Sequence, residues 1–208
     1  RLMAAACRAS RAEAEAFFVG SQGQALAHFF REAFVPSSKT LCALLEPTDD
    51  CKSTAAADIE CISCLLEFLG AAMKASKKVA KAMVELGLVE LTKGFLLLNQ
   101  GAFELTERGP LPLECGRKPG SLMLTKIQAQ VVSLWNIILC YGLDIFESLA
   151  DLQHIFLGLL CTDLSGKLHG LEMDEETTAA LSLQIHTLHL LSLLLSTPNS
   201  TDEQTAAE

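Results

Sequence analysis

Apolar residues recur along this chain with the period of an α-helix, and that period constrains the fold more than any other feature. Residues 58–73 place Ile59, Ile62, Leu65, Leu66 and Leu69 at spacings of three and four, which puts the side chains on one face of a helix. Similar patterns predict helices over 12–18, 24–34, 39–45, 77–86, 88–98, 122–141, 145–160 and 175–196. β-branched residues never alternate as strands require. The sequence therefore predicts an all-α protein.

Glycine and proline mark the ends of several predicted helices. Gly87 separates two of them, Gly142 closes the longest and Pro47 ends the shortest, because glycine suits a helix C-terminus and proline cannot continue a helix. Two polar segments, near 46–55 and 99–121, are predicted insertions, and 198–208 is a predicted disordered tail.

The helices also recur as larger units over 1–34, 56–98 and 122–160, with the start of a fourth from Thr177. The equivalent positions Gly23, Gly87 and Ser148 are 64 and 61 residues apart. A helical hairpin that cannot bury its apolar face alone stacks on its neighbours, as in an α-solenoid. The spacing exceeds the ~40–47 residues of regular armadillo and HEAT units by about the length of the polar insertions.

Residues 79–96, VAKAMVELGLVELTKGFL, carry a family resemblance. They resemble the armadillo pattern, in which a helix ends at a glycine and the next begins at once with a Leu-x-x-Leu core, and ISCLLEFL at 62–69 is similar to that family's middle helix. The resemblance covers most of the chain. It implies an armadillo/HEAT-like α-solenoid over 1–197, an irregular superhelix of stacked helical hairpins. Asn136 is the one residue that resembles the inward asparagine ladder of peptide-binding armadillo proteins.

A narrower resemblance joins LVELTKGFL at 88–96 to SLWNIILCYG at 133–142. This order is similar to the C-terminal helical region of the RNA polymerase II-associated protein 1 family, where Leu-Trp is followed at helical distance by Tyr-Gly. It implies a scaffold in RNA polymerase II assembly or nuclear import. Trp135 itself is expected to lie in the core.

The net charge and the distribution of basic residues restrict the kinds of partner that the chain is expected to bind. A net charge of −9 with scattered basic residues disfavours direct nucleic-acid binding, which uses clustered Lys and Arg. The densest basic group is Lys74, Lys77, Lys78 and Lys81. Such a group is usually a solvated helix face, and the alternative is a docking point for an acidic protein partner. These four lysines are the candidate partner-binding residues, and the partner's identity is not encoded.

Cysteine usage favours an intracellular protein, cytoplasmic or nuclear. Most of the eight cysteines lie within apolar helical stretches, where a free thiol behaves as a small hydrophobe. Cys61-x-x-Cys64 is the sharpest motif, and His186-x-x-His189 would complete a zinc site by residue type. The expectation is two structural thiols, with no metal and no cofactor. The alternative is a helical regulatory domain with a structural zinc or redox site at Cys61 and Cys64.

Catalytic signatures are missing from the sequence. No Gly-x-Ser-x-Gly elbow or Gly-rich phosphate loop occurs, and His28 and His154 are single histidines on amphipathic helices. We therefore expect a non-enzymatic, protein-binding scaffold. Residues 181–195 are apolar over about 15 residues, short of the ~20 that a membrane span needs, so a buried helix and no membrane contact are expected. Because the chain opens inside an apolar segment, it is expected to be part of a longer protein with flanking repeats.

Overall fold

The computed structural model describes residues 10–19, 29, 30, 32, 34, 49–97, 122–145, 152–160 and 174–196. These residues are mostly helical and contain no strand, which confirms the all-α prediction. The helices that they form are α1 (Arg11–Val19), α2 (Asp49–Ala75), α3 (Lys77–Glu85), α4 (Leu88–Leu97), α5 (Leu122–Cys140), α6 (Gln153–Leu160) and α7 (Glu175–Ser196).

Several predictions fall outside the described residues. They are the helix over 39–45, most of the helix over 24–34, the insertion at 99–121, the tail at 198–208, residues 146–151 of the helix over 145–160, and His28. The side chain of His154 is likewise not described.

Helix boundaries agree with the sequence prediction to within about two residues, except at the starts of α6 and α2. Helix α6 begins at Gln153, eight residues after the predicted start, since Ile145 lies outside a helix and Leu152 lies in a turn. Helix α2 begins at Asp49, nine residues before the predicted start, so residues 49–55 of the predicted polar insertion are helical. Two local features favour the extension. Alanine at 55–57 has the highest helix propensity and needs no apolar periodicity to be helical, and Asp49 and Asp50 lie in the first turn, where the helix dipole favours carboxylates.

Glycines end two helices as predicted. Gly87 has φ 80° and Gly142 has φ 66°, a left-handed conformation that glycine adopts without the steric cost of a Cβ atom. The backbone N–H of Gly87 donates to the carbonyl of Val84, and that of Gly142 to Leu139. These turns let α4 follow α3 at once and close α5.

The three long helices α2, α5 and α7 lie side by side and run parallel, with α5 in the middle. The hydroxyl of Tyr141 donates to the carbonyl of Lys74 at 2.9 Å, and Nε2 of Gln130 donates to Oγ of Ser63 at 3.1 Å. Residue numbers therefore increase together along α2 and α5. The same holds for α5 and α7, which are joined by an ion pair from Lys126 to Glu175 and by Asn136 Nδ2 to the carbonyl of His186 at 2.9 Å.

Helices α4 and α6 pack behind α5. Trp135 Nε1 donates to Thr92 Oγ1, and Gln128 Nε2 donates to the carbonyl of Phe95, so α4 runs antiparallel to α5. Phe156 of α6 meets the Trp135 ring edge-on, with centroids 6.3 Å apart. Trp135 is fully buried, which confirms its predicted place in the core.

Helices α1 and α3 pack near the C-terminal end of α2. Ser76 caps α3, since its Oγ accepts from the N–H of Lys78, and the same hydroxyl donates to Oε1 of Glu15 at 2.7 Å. Phe18 packs against Phe68 of α2, with ring centroids 5.2 Å apart.

Two helices, α5 and α7, are long and apolar enough in composition to cross a membrane. The same is true of many core helices of soluble proteins, and two thirds of the most apolar window of α5 is buried in the fold. Only 28% of that window is buried in α7. The prediction of a buried helix over 181–195 thus holds for one side only, because Leu183 and Leu190 face the core while Ile185 and Leu188 are exposed.

Candidate partner-binding groove

A groove of about 630 Å³ runs over α5 between α2 and α7. All of its lining residues belong to these three helices. The helices α4 and α6, which bond or pack to the opposite side of α5, contribute none.

Each of the three helices turns residues of the same spacing into the groove. On every helix four lining residues follow one another at intervals of four, three and four, which keeps them on one helical face. They are Ser63, Glu67, Gly70 and Lys74 on α2, Lys126, Gln130, Ser133 and Ile137 on α5, and Glu175, Ala179, Ser182 and His186 on α7. The groove is therefore built from equivalent faces of three parallel helices.

Polar contacts at one end of the groove tie its walls to its floor. Gln130 bonds to Ser63 of α2, and Lys126 forms an ion pair with Glu175 of α7. The ion pair is exposed, so it contributes little stability. The positions of the two contacts matter more, because one holds α2 and the other holds α7 in register with α5.

Small residues keep the groove open and let the helices approach. A Cβ atom added to Gly70 would lie 3.3 Å from Cδ2 of Leu134, so α2 comes close to α5 at this point. Ser133, Ala179 and Ser182 fill little of the space in front of α5. The lining thus combines short hydroxyl groups with apolar surface.

The charge of the groove is balanced. Glu67 and Glu175 line it together with Lys74 and Lys126. Burial lowers the pKa of His186 from its ordinary value, and the nearby charge of Lys74 lowers it further. His186 is therefore neutral at pH 7, and the groove has no strong preference for one sign of charge.

The four candidate lysines are all exposed, but they do not form one surface over the groove. Lys74 lines it. Lys78 lies 3.6 Å from a carboxylate oxygen of Glu15, and Lys81 lies 3.8 Å from that of Glu85. Lys77 is exposed on α3 and does not line the groove. Their role in partner binding stays a prediction, and Lys74 is the one that the structure connects to the groove.

The proposed zinc ligands are not brought together. His186 lines the groove within electrostatic reach of Lys74, whereas Cys61 and Cys64 lie ten or more residues earlier on α2, about 15 Å along the helix axis. Cys61 is exposed and both thiols are free. Within the described part of the chain, no group of three His, Cys, Asp or Glu residues could hold a metal ion. The geometry gives the zinc alternative no support.

Asn136 does not serve the groove as an asparagine ladder would. Its side chain is 5% exposed, and its Nδ2 is bonded to the backbone of α7. Its Oδ1 is buried without a hydrogen-bond partner. The residue joins α5 to α7 and is not among those that line the groove.

Sequence reasoning missed most of the groove. Lys126, Gln130 and Ser133 recur at spacings of four and three along α5, but Thr125, Gln128 and Asn136 of the same helix are polar and buried. Polarity alone therefore does not identify the groove-facing side of this helix. Ser182 and Glu175 carry no sequence signal either, because their part in the groove depends on which helix lies beside α7.

Comparisons with protein-family models, with curated proteins and with solved structures find no match to this chain. The resemblances to the armadillo/HEAT and RNA polymerase II-associated protein 1 families therefore stay hypotheses from the sequence.

Proposed function

We propose that this chain is a non-enzymatic, protein-binding scaffold of the α-solenoid type, and that it holds a segment of a protein partner in the groove between α2, α5 and α7. The observation that carries the proposal is the identical spacing of groove-lining residues on three parallel helices. An open face built from equivalent positions of successive units is the way in which helical repeats make extended binding surfaces.

The order of the helices supports a repeat architecture. Of the four units that the sequence predicts, the last three begin near α2, α5 and α7, and these three helices are parallel neighbours. Helix α1 of the first unit does not run parallel to α2, because Glu15 bonds to Ser76 while Phe18 packs on Phe68. In a stack of helical hairpins the first helices of successive units run parallel and the second helices run antiparallel to them. The antiparallel helix α4 between α2 and α5 in the chain follows this order.

The dimensions favour one polypeptide segment as occupant. Parallel helices pack about 8–10 Å apart, so α2 and α7 on either side of α5 leave about the width of one helix, whose diameter with side chains is about 10–12 Å. Balanced charge and short hydroxyl groups suit a segment that is neither strongly acidic nor strongly basic. An acidic residue of the segment would meet Lys74.

The setting in RNA polymerase II assembly or nuclear import is the part of the proposal that follows from the narrower sequence resemblance. It predicts polymerase subunits or import factors among the bound proteins. An intracellular location, cytoplasmic or nuclear, belongs to the same proposal.

The test compares partner capture by the wild-type chain with capture by groove variants. Ser133→Trp and Ser182→Trp place a large ring in the groove from two different helices. Glu90→Trp adds the same ring at an exposed position of α4 and serves as the matched control. Tagged chains expressed in cells are purified, and the bound proteins are quantified by mass spectrometry.

We expect the same proteins on the wild type and on Glu90→Trp, and at least tenfold less of them on both groove variants. Equal capture by all four chains would place binding elsewhere on the protein. If the wild type retains no protein above a tag-only control, the scaffold function itself is wrong. Polymerase subunits or import factors among the lost proteins would support the proposed setting, and their absence would remove it.

A further inference from the structure

Helix α7 exposes an apolar stripe that points away from the core. We call it the outer stripe, and its members follow one another at alternating intervals of three and four: Thr178, Leu181, Ile185, Leu188, Ser192 and Leu195. Ile185 is 63% exposed, Leu188 57% and Leu195 87%. Apolar side chains at this spacing and exposure form the seam of a coiled coil when a second helix covers them.

The same stripe is buried on the two preceding parallel helices. Counted from the first of the four groove-lining residues on each helix, the positions 3, 6, 10 and 13 residues further on lie at the same angle from the groove. For α2 and α5, the residues at these positions are at most 7% exposed. They are Leu66, Leu69 and Met73 on α2, Ser76 directly after α2, and Ala129, Val132, Asn136 and Leu139 on α5. On α5 this side contacts α7 through Asn136. The outer stripe therefore has the same angular position around α7 as the sides of α2 and α5 that are covered in the fold, which is where a next parallel helix would lie.

The residue types in the outer stripe favour a specific kind of pairing. With Thr178, Ile185 and Ser192 at the a positions of a heptad, the d positions are Leu181, Leu188 and Leu195. Two of the three a residues, Thr178 and Ile185, are β-branched, and this composition with leucine at every d position favours parallel two-stranded coiled coils. The sequence therefore suits a partner helix of the same composition.

Charge permits a second copy of the chain as that partner. The whole chain carries a net charge of −9, yet residues 177–196 contain no Asp, Glu, Lys or Arg. Two identical outer stripes can meet without like-charge repulsion. The flanking e and g positions carry no charge that would select a different partner.

We propose that two copies of the chain associate through their α7 helices, which pair as a parallel two-stranded coiled coil along the outer stripe. The two copies are related by a twofold axis parallel to α7. The layer formed by α2, α5 and α7 in one copy therefore continues into the same layer of the other copy. Because α7 is already helical in the folded chain, pairing does not carry the cost of helix nucleation that limits short isolated coiled coils. This inference does not depend on the proposed function of the groove.

Sedimentation equilibrium of the purified chain between about 1 and 100 µM tests the proposal, since weak specific dimers dissociate in this range. The seam variants are Ile185→Lys and Leu188→Lys, with Leu188→Gln as an uncharged second version. Met123→Lys is the matched control, because Met123 is 40% exposed on α5 and lies outside the stripe. Thermal melting followed by circular dichroism verifies that each variant is folded.

We expect the wild type and Met123→Lys to approach twice the chain mass of 22.4 kDa. The seam variants should remain at the single-chain mass, with a dissociation constant raised at least tenfold. A wild type that stays monomeric throughout the range would overturn the proposal, and so would seam variants that dimerise as the wild type does. A monomeric wild type that sediments with phosphatidylcholine vesicles would instead assign the outer stripe to a membrane surface.

A photo-crosslinking amino acid at position 195 tests the parallel orientation. Leu195 lies in the last turn of α7, so a parallel pair joins position 195 to the C-terminal part of the partner's helix. Crosslinks to peptides from the start of that helix would show an antiparallel pair and overturn the geometry proposed here.

Discussion

The indole Nε1 of Trp135 donates a hydrogen bond to Oγ1 of Thr92 at 3.1 Å, and neither side chain is exposed to solvent. Oγ1 of Thr92 in turn donates to the carbonyl of Leu88 at 2.8 Å. This bond joins the central helix α5 to α4. It satisfies a buried N–H group that would otherwise lose its bond to water on folding.

Thr92→Val should therefore destabilise the protein by about 1–3 kcal/mol, because it leaves the indole N–H buried without an acceptor. The matched control is Thr187→Val, which removes a buried hydroxyl bonded only to the carbonyl of Leu183 and should cost less than about 1 kcal/mol. Trp135 is the single tryptophan of the chain, so its fluorescence in urea titrations reports both free energies of unfolding. Equal losses in the two variants would show that the Trp135 contact does not contribute.

Gly70 and Gly94 provide a matched test of close helix packing. Both lie within helices, where alanine in place of glycine stabilises by up to about 1 kcal/mol. A Cβ atom at Gly94 meets nothing within 4 Å, whereas one at Gly70 meets Leu134 at 3.3 Å, and Leu134 is buried in the core. We expect Gly94→Ala to raise the melting temperature and Gly70→Ala to leave it unchanged or lower it. An equal gain from both substitutions would mean that α2 and α5 separate without cost.

Glu15 lies between helices α1 and α3, and it should make the free energy of unfolding depend on pH. Hydrogen bonds from Arg11 and Ser76, with the charge of Lys78, lower its pKa from 4.5 to about 2. A carboxyl group whose pKa is lowered on folding stabilises the fold above its unfolded-state pKa, and this contribution is lost as pH falls towards the folded-state value. The stabilisation by Glu15 should therefore be complete at pH 7 and disappear between about pH 4.5 and 2.

Denaturant titrations of wild type and Glu15→Gln at pH 7, 4 and 2 measure this effect. The variant should be less stable at pH 7, and the difference should vanish near pH 2. Glu85→Gln serves as the control, because Glu85 is an exposed partner of Lys81 at 3.8 Å and its loss should matter little at any pH. A difference for Glu15→Gln that is constant with pH would contradict the ionic contribution.

Asn136 offers a test of how α5 holds α7. One of its polar atoms is bonded to the backbone of His186 and the other is buried without a partner. Asn136→Leu removes both atoms together and should change the free energy of unfolding by less than about 1 kcal/mol. Asn136→Asp buries a charge and should cost more than about 3 kcal/mol. Both values follow from urea titrations at pH 7, and a large loss in Asn136→Leu would show that the bond to α7 dominates.

Much of the secondary structure could be predicted because its causes are local. The inward face of α2 follows from the three- and four-residue spacing of Ile59, Ile62, Leu66 and Leu69, all of them buried. The breaks at Gly87 and Gly142 follow from the freedom of glycine to adopt positive φ. The early start of α2 at Asp49 was missed, because a run of alanine forms helix without showing an apolar period.

The groove and the outer stripe depend on the tertiary structure. Residue spacing places Lys126, Gln130 and Ser133 at one angle around α5, but it does not say which helix lies at that angle. That choice is made by the packing of helices some 50 to 67 residues apart in the chain, through contacts such as Asn136 to His186 and Tyr141 to Lys74. For the same reason the periodicity of α7 predicted an apolar helix, and only its position beside α5 determined which side is covered and which is free to bind.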